Sequence, residues 1–247
     1  MHPRPPSTSF VREFRESMSS AYRAAHDDDA SAVHATVVRD RGAAIIHAGL
    51  MEPARGASSA LCIVADDRPG LLATISAALV LRGIDVLDAE AYTRRTPAGR
   101  AEALDLFWVR RADPERRDEP LGADEVGELD RLLADLCEGR VDAATLLALS
   151  PAPDKGAVET TVRFHEGADG KLTTLEVETG DRSGLLFALA RALHEQGVQI
   201  EQSEVKTVGD RVRDRFQLVE VDGSQIAPSR RLAIQVAVLT AVEQAKR

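Results

Sequence analysis

Residues 66–93 read DDRPGLLATISAALVLRGIDVLDAEAYT, and residues 180–207 read GDRSGLLFALARALHEQGVQIEQSEVKT. The two stretches share Asp-Arg-x-Gly-Leu-Leu and several later identities, always 114 positions apart. Further along, Asp105 and Phe107 recur as Asp214 and Phe216, at a separation of 109, so the first copy carries five extra residues near 94–100. A repeat of this length indicates a duplicated supersecondary unit rather than a short solenoid repeat.

The composition is that of an ordinary globular protein, with 247 residues, 44% hydrophobic and 29% charged. The formal net charge of −9 argues against nucleic acid and against anionic membranes as partners, because both require clustered Lys and Arg. Residues 1–10 lack the apolar core of a secretory signal, and Cys62 and Cys137 form no disulfide or metal-binding pattern. We expect a cytoplasmic protein without a cofactor, in which both cysteines are buried.

The first 56 residues are predicted to hold a disordered tail at 1–8, helices at 10–26 and 30–41, and a short strand at 43–50. The acidic run Asp27-Asp28-Asp29 favours a loop whose last residue, Asp29, caps the second helix, over a metal site. We expect the apolar run at 43–50 to form a sheet edge in one repeat or the other. Residues 53–56 are predicted to be a linker.

Both repeats show the periodicities of a strand, a helix, two strands and a helix. In the first copy these elements are predicted at 60–65, 70–82, 84–93, 103–110 and 123–138. A short helix at 142–149, a linker at 151–156 and a strand at 158–165 follow, and the strand is expected to close the first unit. In the second copy the elements are predicted at 172–178, 184–196, 198–207, 212–221 and 229–245.

This order predicts an α+β fold with two ferredoxin-like units of the type βαββαβ, each with two helices on one face of an antiparallel sheet. We assign residues 57–166 to the first unit and 167–247 to the second. The apolar parity of the second strand switches between Val86 and Ala89, and again between Ile200 and Ser203. Because side chains alternate strictly along a strand, each switch predicts a β-bulge.

The turn before the first helix of each repeat is the strongest indication of a binding site. A helix N-terminus presents unpaired N–H groups and a partial positive charge, which suit a carboxylate or phosphate. Gly70 and Gly184 permit a close approach to the backbone, and Asp67 and Asp181 supply a negative group for an ammonium. Together these features suit a free amino acid. A structural interpretation, in which the aspartate caps the helix and the glycine fits the turn, explains the motif equally well.

The pattern of strand, Asp-Arg-x-Gly-Leu-Leu turn, helix, two strands and helix resembles the ACT domain, a ferredoxin-like module that commonly binds amino acids and regulates an enzyme. Residues 20–50, both turns and the stretch EVKTVGDRVRDRFQL are more specifically similar to the C-terminal region of bacterial uridylyltransferase/uridylyl-removing enzymes. Those enzymes modify the PII nitrogen-signalling protein, and their tandem ACT domains sense glutamine. The resemblance implies an amino acid ligand, with glutamine favoured, and a regulated enzyme or signalling protein such as PII as partner.

The resemblance also implies which residues contact the ligand. The ligand-binding residues of the turns are Asp67, Arg68, Gly70 and Leu71 in the first unit, and Asp181, Arg182, Gly184 and Leu185 in the second. Asp85 and Gln199 occupy the second-strand position at which many amino-acid-binding ACT domains have an asparagine. Arg94, Arg95 and Arg100 in the longer hairpin are expected to be solvated.

Motifs for the family's catalytic parts are not recognisable in the sequence. We find neither a Gly-Ser turn followed by paired aspartates nor a spaced set of His and Asp ligands, so we expect no catalytic and no metal-binding residue. The favoured function is that of a non-catalytic sensor in nitrogen or amino-acid metabolism. An interaction module without a ligand and a truncated uridylyltransferase stay open as alternatives. The final helix is apolar around most of its circumference, which indicates burial against the sheet, a partner contact or a homo-oligomer.

Overall fold

The structure is a computed structural model that describes residues 6–51, 58–142, 159–166 and 172–244. The predicted linkers at 53–56 and 151–156, most of the short helix at 142–149 and most of the tail at 1–8 lie outside these ranges.

Seven helices and eight strands form within the described ranges. The helices are α1 (Thr8–Ser17), α2 (Ser20–Ala25), α3 (Asp28–Arg41), α4 (Leu71–Leu81), α5 (Ala123–Cys137), α6 (Leu185–Glu195) and α7 (Pro228–Gln244). The strands are β1 (Ile46–Met51), β2 (Ser59–Asp66), β3 (Ile84–Arg95), β4 (Ala101–Arg111), β5 (Thr161–Glu166), β6 (Thr173–Gly180), β7 (Val198–Val208) and β8 (Arg211–Glu220). None of these helices has the length and apolar composition needed to cross a membrane.

The described strands form one antiparallel sheet in the order β1-β2-β4-β3-β7-β8-β6-β5. The two repeats meet at its centre, where β3 pairs with β7. In that pairing Glu90 lies opposite Glu204, its own equivalent in the second repeat. The two units are therefore related by a local two-fold axis at this seam, and the predicted α+β architecture of tandem ferredoxin-like units is confirmed.

The outer strand of each unit comes from the chain that precedes the unit. The strand predicted at 43–50 is β1, and it pairs with β2 at the sheet edge as expected. The strand predicted at 158–165 is β5, but the expectation that it closes the first unit is wrong, because it pairs with β6 of the second. The outer edge of β2 is already occupied by β1, which leaves the edge of β6 for β5.

Both predicted bulges are present. The register of β3 against β4 shifts between Val86 and Asp88, and that of β7 against β8 shifts between Ile200 and Gln202. A continuous core fills the space between one face of the sheet and helices α4 to α7; it includes Phe107 and Phe216 from the third strands of the two repeats. The bulges bend the second strands at the start of the seam, next to the turns that precede α4 and α6.

The N-terminal helices cover the opposite face of the sheet, where Phe14, Tyr22 and Val38 pack against strands of the first unit. The single helix predicted at 10–26 is instead two, α1 and α2, because Ser19 accepts a hydrogen bond from Tyr22 N and starts a new helix. Asp27, rather than Asp29, caps α3 through a bond from Ala30 N. Cys62 and Cys137 are buried free thiols, as expected.

One predicted solvated arginine is buried. Arg94 is 8% exposed, and its Nε lies 2.6 Å from Glu102 Oε2. Arg41, at the end of α3, donates from Nη1 to the other oxygen of Glu102 at 2.6 Å. Because a buried charge requires a partner, this pair of arginines around one carboxylate ties α3 to the hairpin of β3 and β4.

Candidate functional site

The two glycine turns have the same backbone conformation. Gly70 and Gly184 adopt φ of 78° and 76°, a left-handed conformation that favours glycine, immediately before α4 and α6. Neither helix has a side-chain cap, so the alternative in which Asp67 or Asp181 caps the helix is wrong. Asp67 instead accepts a hydrogen bond from Thr93 Oγ1 at 3.2 Å, and Asp181 lies 3.6 Å from Arg110 Nη2.

Each turn faces the second strand of the other repeat. A cavity of about 40 Å³ lies between the turn at Gly70 and Gln199 on β7. Its counterpart, of about 30 Å³, lies between the turn at Gly184 and Asp85 on β3. The structure thus brings the predicted turn and second-strand residues together, but crosswise over the seam. A ligand in either cavity would contact both repeats.

The two cavities differ at equivalent positions. A Cβ placed on Gly70 would lie 3.1 Å from His194 Cε1, so the imidazole lies against the first turn. At Gly184 the nearest atom to the same position is Val80 Cγ2, at 3.7 Å. His194 and Val80 are repeat equivalents, and each belongs to the helix of the opposite unit. The first cavity is therefore the more crowded above its glycine, with an imidazole where the second cavity has a valine.

The predicted arginines and leucines have structural contacts. Arg68 donates from Nη1 to the Cys137 carbonyl at 2.7 Å, at the end of α5, and Arg182 donates to Thr179 Oγ1 at 3.2 Å. Leu71 and Leu185 are each 4% exposed and pack in the core. Their N–H groups bond the carbonyls of Arg68 and Arg182 at 3.2 and 3.3 Å, which closes each turn.

Two carboxyl groups that the sequence analysis did not select lie in the cavities. Asp105 on β4 lines the first cavity and Asp214 on β8 lines the second. Burial, and secondly the charge of the neighbouring Asp67 or Asp181, raises the pKa of each to about 8. The sequence contained a signal for both: each aspartate recurs at the same place in the repeat, on the side of its strand that otherwise carries apolar residues.

Other carboxyls add to the acidic character of both cavities. Burial is the main cause that raises the pKa of Asp67 and of Glu201, which lines the first cavity. Asp85 Oδ1 in the second cavity is buried and has no hydrogen-bond partner among the described residues. Both sites therefore combine a helix N-terminus with several carboxyl groups, an arrangement that accommodates one negative and one positive group of the same small molecule.

The cavities are small as they stand. A cavity needs about 10–15 Å³ to hold one water molecule, so 40 and 30 Å³ accommodate two or three. A ligand as large as glutamine therefore requires the turns or the adjoining helices to move apart. Binding of such a ligand would therefore be linked to the packing of α4 against α6.

Comparison with known proteins finds relatives named bifunctional uridylyltransferase/uridylyl-removing enzyme. The Bradyrhizobium diazoefficiens protein is 33% identical over 182 residues, 72% of this chain and 19% of that protein. The Rhodospirillum rubrum protein is 31% identical over 83% of the chain and 22% of its own length, and the Phenylobacterium zucineum protein is 28% identical over 94% and 24%.

No family model matches the chain. Among solved structures, aspartate kinase from Synechocystis superposes with a TM-score of 0.39 and 14% identity, over 74% of this chain and 27% of that one. The chain spans about a fifth of the length of the uridylyltransferases that it matches. It is thus a relative of one segment of the bifunctional uridylyltransferase/uridylyl-removing enzymes, as the two Asp-Arg-x-Gly-Leu-Leu turns indicated.

Proposed function

We propose that this chain is a non-catalytic regulatory module whose two seam sites bind a free amino acid, with glutamine favoured. The observation that carries the proposal is the crosswise construction of the sites, in which Gly70 faces Gln199 and Gly184 faces Asp85. A ligand held at both ends of such a site stabilises one arrangement of the two repeats over others, which is the requirement for a regulatory response.

The chemistry of each end supports a zwitterion. The start of α4 or α6 provides unpaired N–H groups and the positive end of the helix dipole for a carboxylate. Asp67 and Asp181 provide a negative charge for an ammonium. Differential binding that favours one arrangement by roughly 1–3 kcal/mol is sufficient for a typical allosteric response. The change in arrangement on ligand binding would act on a partner protein of nitrogen or amino-acid metabolism in the cytoplasm, and PII is the first candidate.

The sharpest test is a titration of the twenty amino acids against the full chain, followed by melting temperature and then by calorimetry. Glutamine is expected to raise the melting temperature, because binding to the folded state stabilises it by mass action. Gln199→Ala should weaken binding, because Gln199 lines the first cavity. Gln217→Ala is the matched control, since Gln217 lines a groove on the other face of the sheet.

An interaction module without a ligand is the second candidate. Leu232 and Val236 on α7 are 69% and 54% exposed, which favours contact with another protein, while Ile234, Val238 and Val242 are buried as the structural interpretation of this helix expects. The absence of heat and of a thermal shift across all twenty amino acids would favour this candidate. Incubation with UTP, Mg²⁺ and PII is expected to give no uridylylation, and measurable transfer would contradict the non-catalytic assignment.

A further inference from the structure

Asp105 and Asp214 occupy the same place in the two repeats. Each lies on the third strand of its unit, two residues before a phenylalanine that is at most 1% exposed. Their side chains share the parity of Phe107 and Phe216, so they point toward the core beneath α4 and α6. The carboxylic acids are themselves 4% and 1% exposed. In each repeat, therefore, a carboxyl group lies at the inner end of the cavity, on the core-facing side of the sheet. This inner end is called the floor of the cavity.

The protein around Asp214 does not satisfy its carboxyl group. Neither oxygen of Asp214 has a hydrogen-bond partner among the described residues. Burying a carboxyl without partners costs free energy, and a hydrophobic residue of similar size would pack at such a position without that cost. An unsatisfied buried polar group in a folded protein therefore requires an explanation. Here both acids line the cavities that open under the glycine turns.

We infer that Asp105 and Asp214 receive the ammonium group of the ligand, and that each releases its proton to solvent when the ligand binds. This inference rests on the proposed function, which it extends by naming the deep contact and its chemistry. The empty site holds a neutral acid, and the bound site holds a carboxylate paired with the ligand's R–NH₃⁺. The O–H bond of the acid breaks, the proton goes to water, and the ammonium keeps its own protons.

The groups that face Asp105 are consistent with a cation between them. Asp67 comes from the turn, Glu201 from β7 and His194 from α6, while Arg68 is engaged with the Cys137 carbonyl. Burial, and secondly repulsion from Asp67, keeps Asp105 neutral, and an ammonium between the two aspartates would offset both effects, because an opposite charge favours the ionised form.

Asp214 is surrounded in the same way but with more positive charge nearby. Asp181 and Asp85 line its cavity together with Arg182, and Arg110 lies 3.6 Å from Asp181. Burial, and then the charge of Asp181, raises the pKa of Asp214 to about 8 as well, so the second site is expected to release a proton as the first does. In both sites the floor selects ligands with a primary ammonium and rejects anions.

The test is calorimetry of the full chain with glutamine as the probe, in phosphate and in Tris at the same pH near 7. Because Tris takes up a proton with a much larger heat than phosphate does, proton release makes the two observed heats differ. Affinity should rise roughly tenfold per pH unit between pH 6 and 8 for one released proton, and level off above. Glutaramic acid, which is glutamine without its ammonium, should bind at least tenfold more weakly.

Substitutions of the two acids test whether they are the source of the released proton. Asp105→Asn and Asp214→Asn keep the side-chain shape but cannot ionise, so each should lower the affinity and reduce the buffer dependence of the heat. Asp118→Asn, at an exposed position, is the matched control. Circular dichroism melting of each variant establishes that it is folded before binding is measured.

The outcomes separate this inference from the proposed function. Glutamine binding with equal heats in both buffers, or with unchanged affinity in the Asp105→Asn, Asp214→Asn double variant, overturns the inference and leaves amino-acid sensing intact. Failure of the wild-type chain to bind any of the twenty amino acids overturns both.

Discussion

Gly70 lies against the imidazole of His194 from the opposite repeat, so a methyl group at position 70 would come within 3.1 Å of Cε1 and Nδ1. The equivalent methyl group at Gly184 would lie 3.7 Å from Val80 Cγ2, an ordinary contact distance. Both glycines have a positive φ. The two turns therefore share a backbone conformation and differ in the space above it.

Gly70→Ala is expected to lower the free energy of unfolding more than Gly184→Ala. An alanine at positive φ costs about 1–2 kcal/mol at either site. At position 70 the ring of His194 must also shift by a few tenths of an ångström, which costs roughly 0.5–1.5 kcal/mol if the ring leaves its rotamer. Urea unfolding measures both losses.

Gly99→Ala is the control for backbone strain, because Gly99 has φ of 79° and no described heavy atom within 4 Å of its Cβ position. His194→Ala in the Gly70→Ala background should remove the additional loss of stability that the contact with His194 causes. Equal losses at positions 70 and 99 would contradict the contact.

Glu102→Gln is expected to destabilise the protein by about 3–5 kcal/mol, because it leaves the buried Arg94 without a counter-charge and Arg41 with only the more exposed Asp66. Glu102 is 5% exposed and pairs with both Arg41 and Arg94. Chemical denaturation measures the change. Glu178→Gln, which removes the half-buried partner of the exposed Arg213 on the other half of the sheet, should cost at most about 1 kcal/mol. Similar losses in the two variants would show that the Glu102 cluster is not buried.

The buried acids predict a loss of stability as the pH rises. Asp105 and Asp214 have a folded-state pKa of about 8, above the ordinary value of 3.8. Between pH 4 and pH 8 the unfolded chain releases these protons while the folded chain keeps them, so the stability present below pH 4 is lost as the pH approaches 8. Asp105→Asn and Asp214→Asn should flatten the dependence of melting temperature on pH over this window. Asp118→Asn should retain the wild-type slope.

The titration of His34 predicts the opposite effect at lower pH, namely that the stability of the protein increases as the pH rises. Its Nδ1 lies 2.7 Å from the Tyr22 hydroxyl, and burial, with a contribution from His26, lowers its pKa from 6.5 to about 4. Its contribution to stability is present above pH 6.5 and is lost as the pH falls toward 4, because the unfolded chain then binds a proton that the folded chain does not. His34→Gln should remove this part of the acid destabilisation. The control, His165→Gln on the exposed strand β5, should leave it unchanged.

The sequence predicted local features of the fold and missed those that depend on distant partners. The bulges followed from the parity switches after Val86 and Ile200, because side-chain alternation is a local property. The pairing of β5 with β6 depended on which sheet edge was free, which no local pattern specifies. The burial of Arg94 likewise depended on α1, where Ser17 accepts a hydrogen bond from Arg94 and the Phe14 ring lies against its guanidinium, and the periodicity alone could not dock that helix.

At the candidate site, the turns and the second-strand residues were predictable from the repeat, but their crosswise arrangement was not. Gln199 and Gly70 are far apart in sequence and meet only because β3 pairs with β7 about a two-fold axis. Asp105 and Asp214 were visible as repeated identities. Their importance became clear only when the sheet placed them beneath the turns.

Because the walls of each cavity come from both sides of the β3–β7 seam, neither repeat forms a complete cavity by itself. A fragment containing either half alone would supply half of each cavity, and two copies of the first half, paired through β3, would place Asp85 opposite Gly70, a combination that the full chain lacks. The difference between residues 85 and 199 thus gives one chain two unlike cavities.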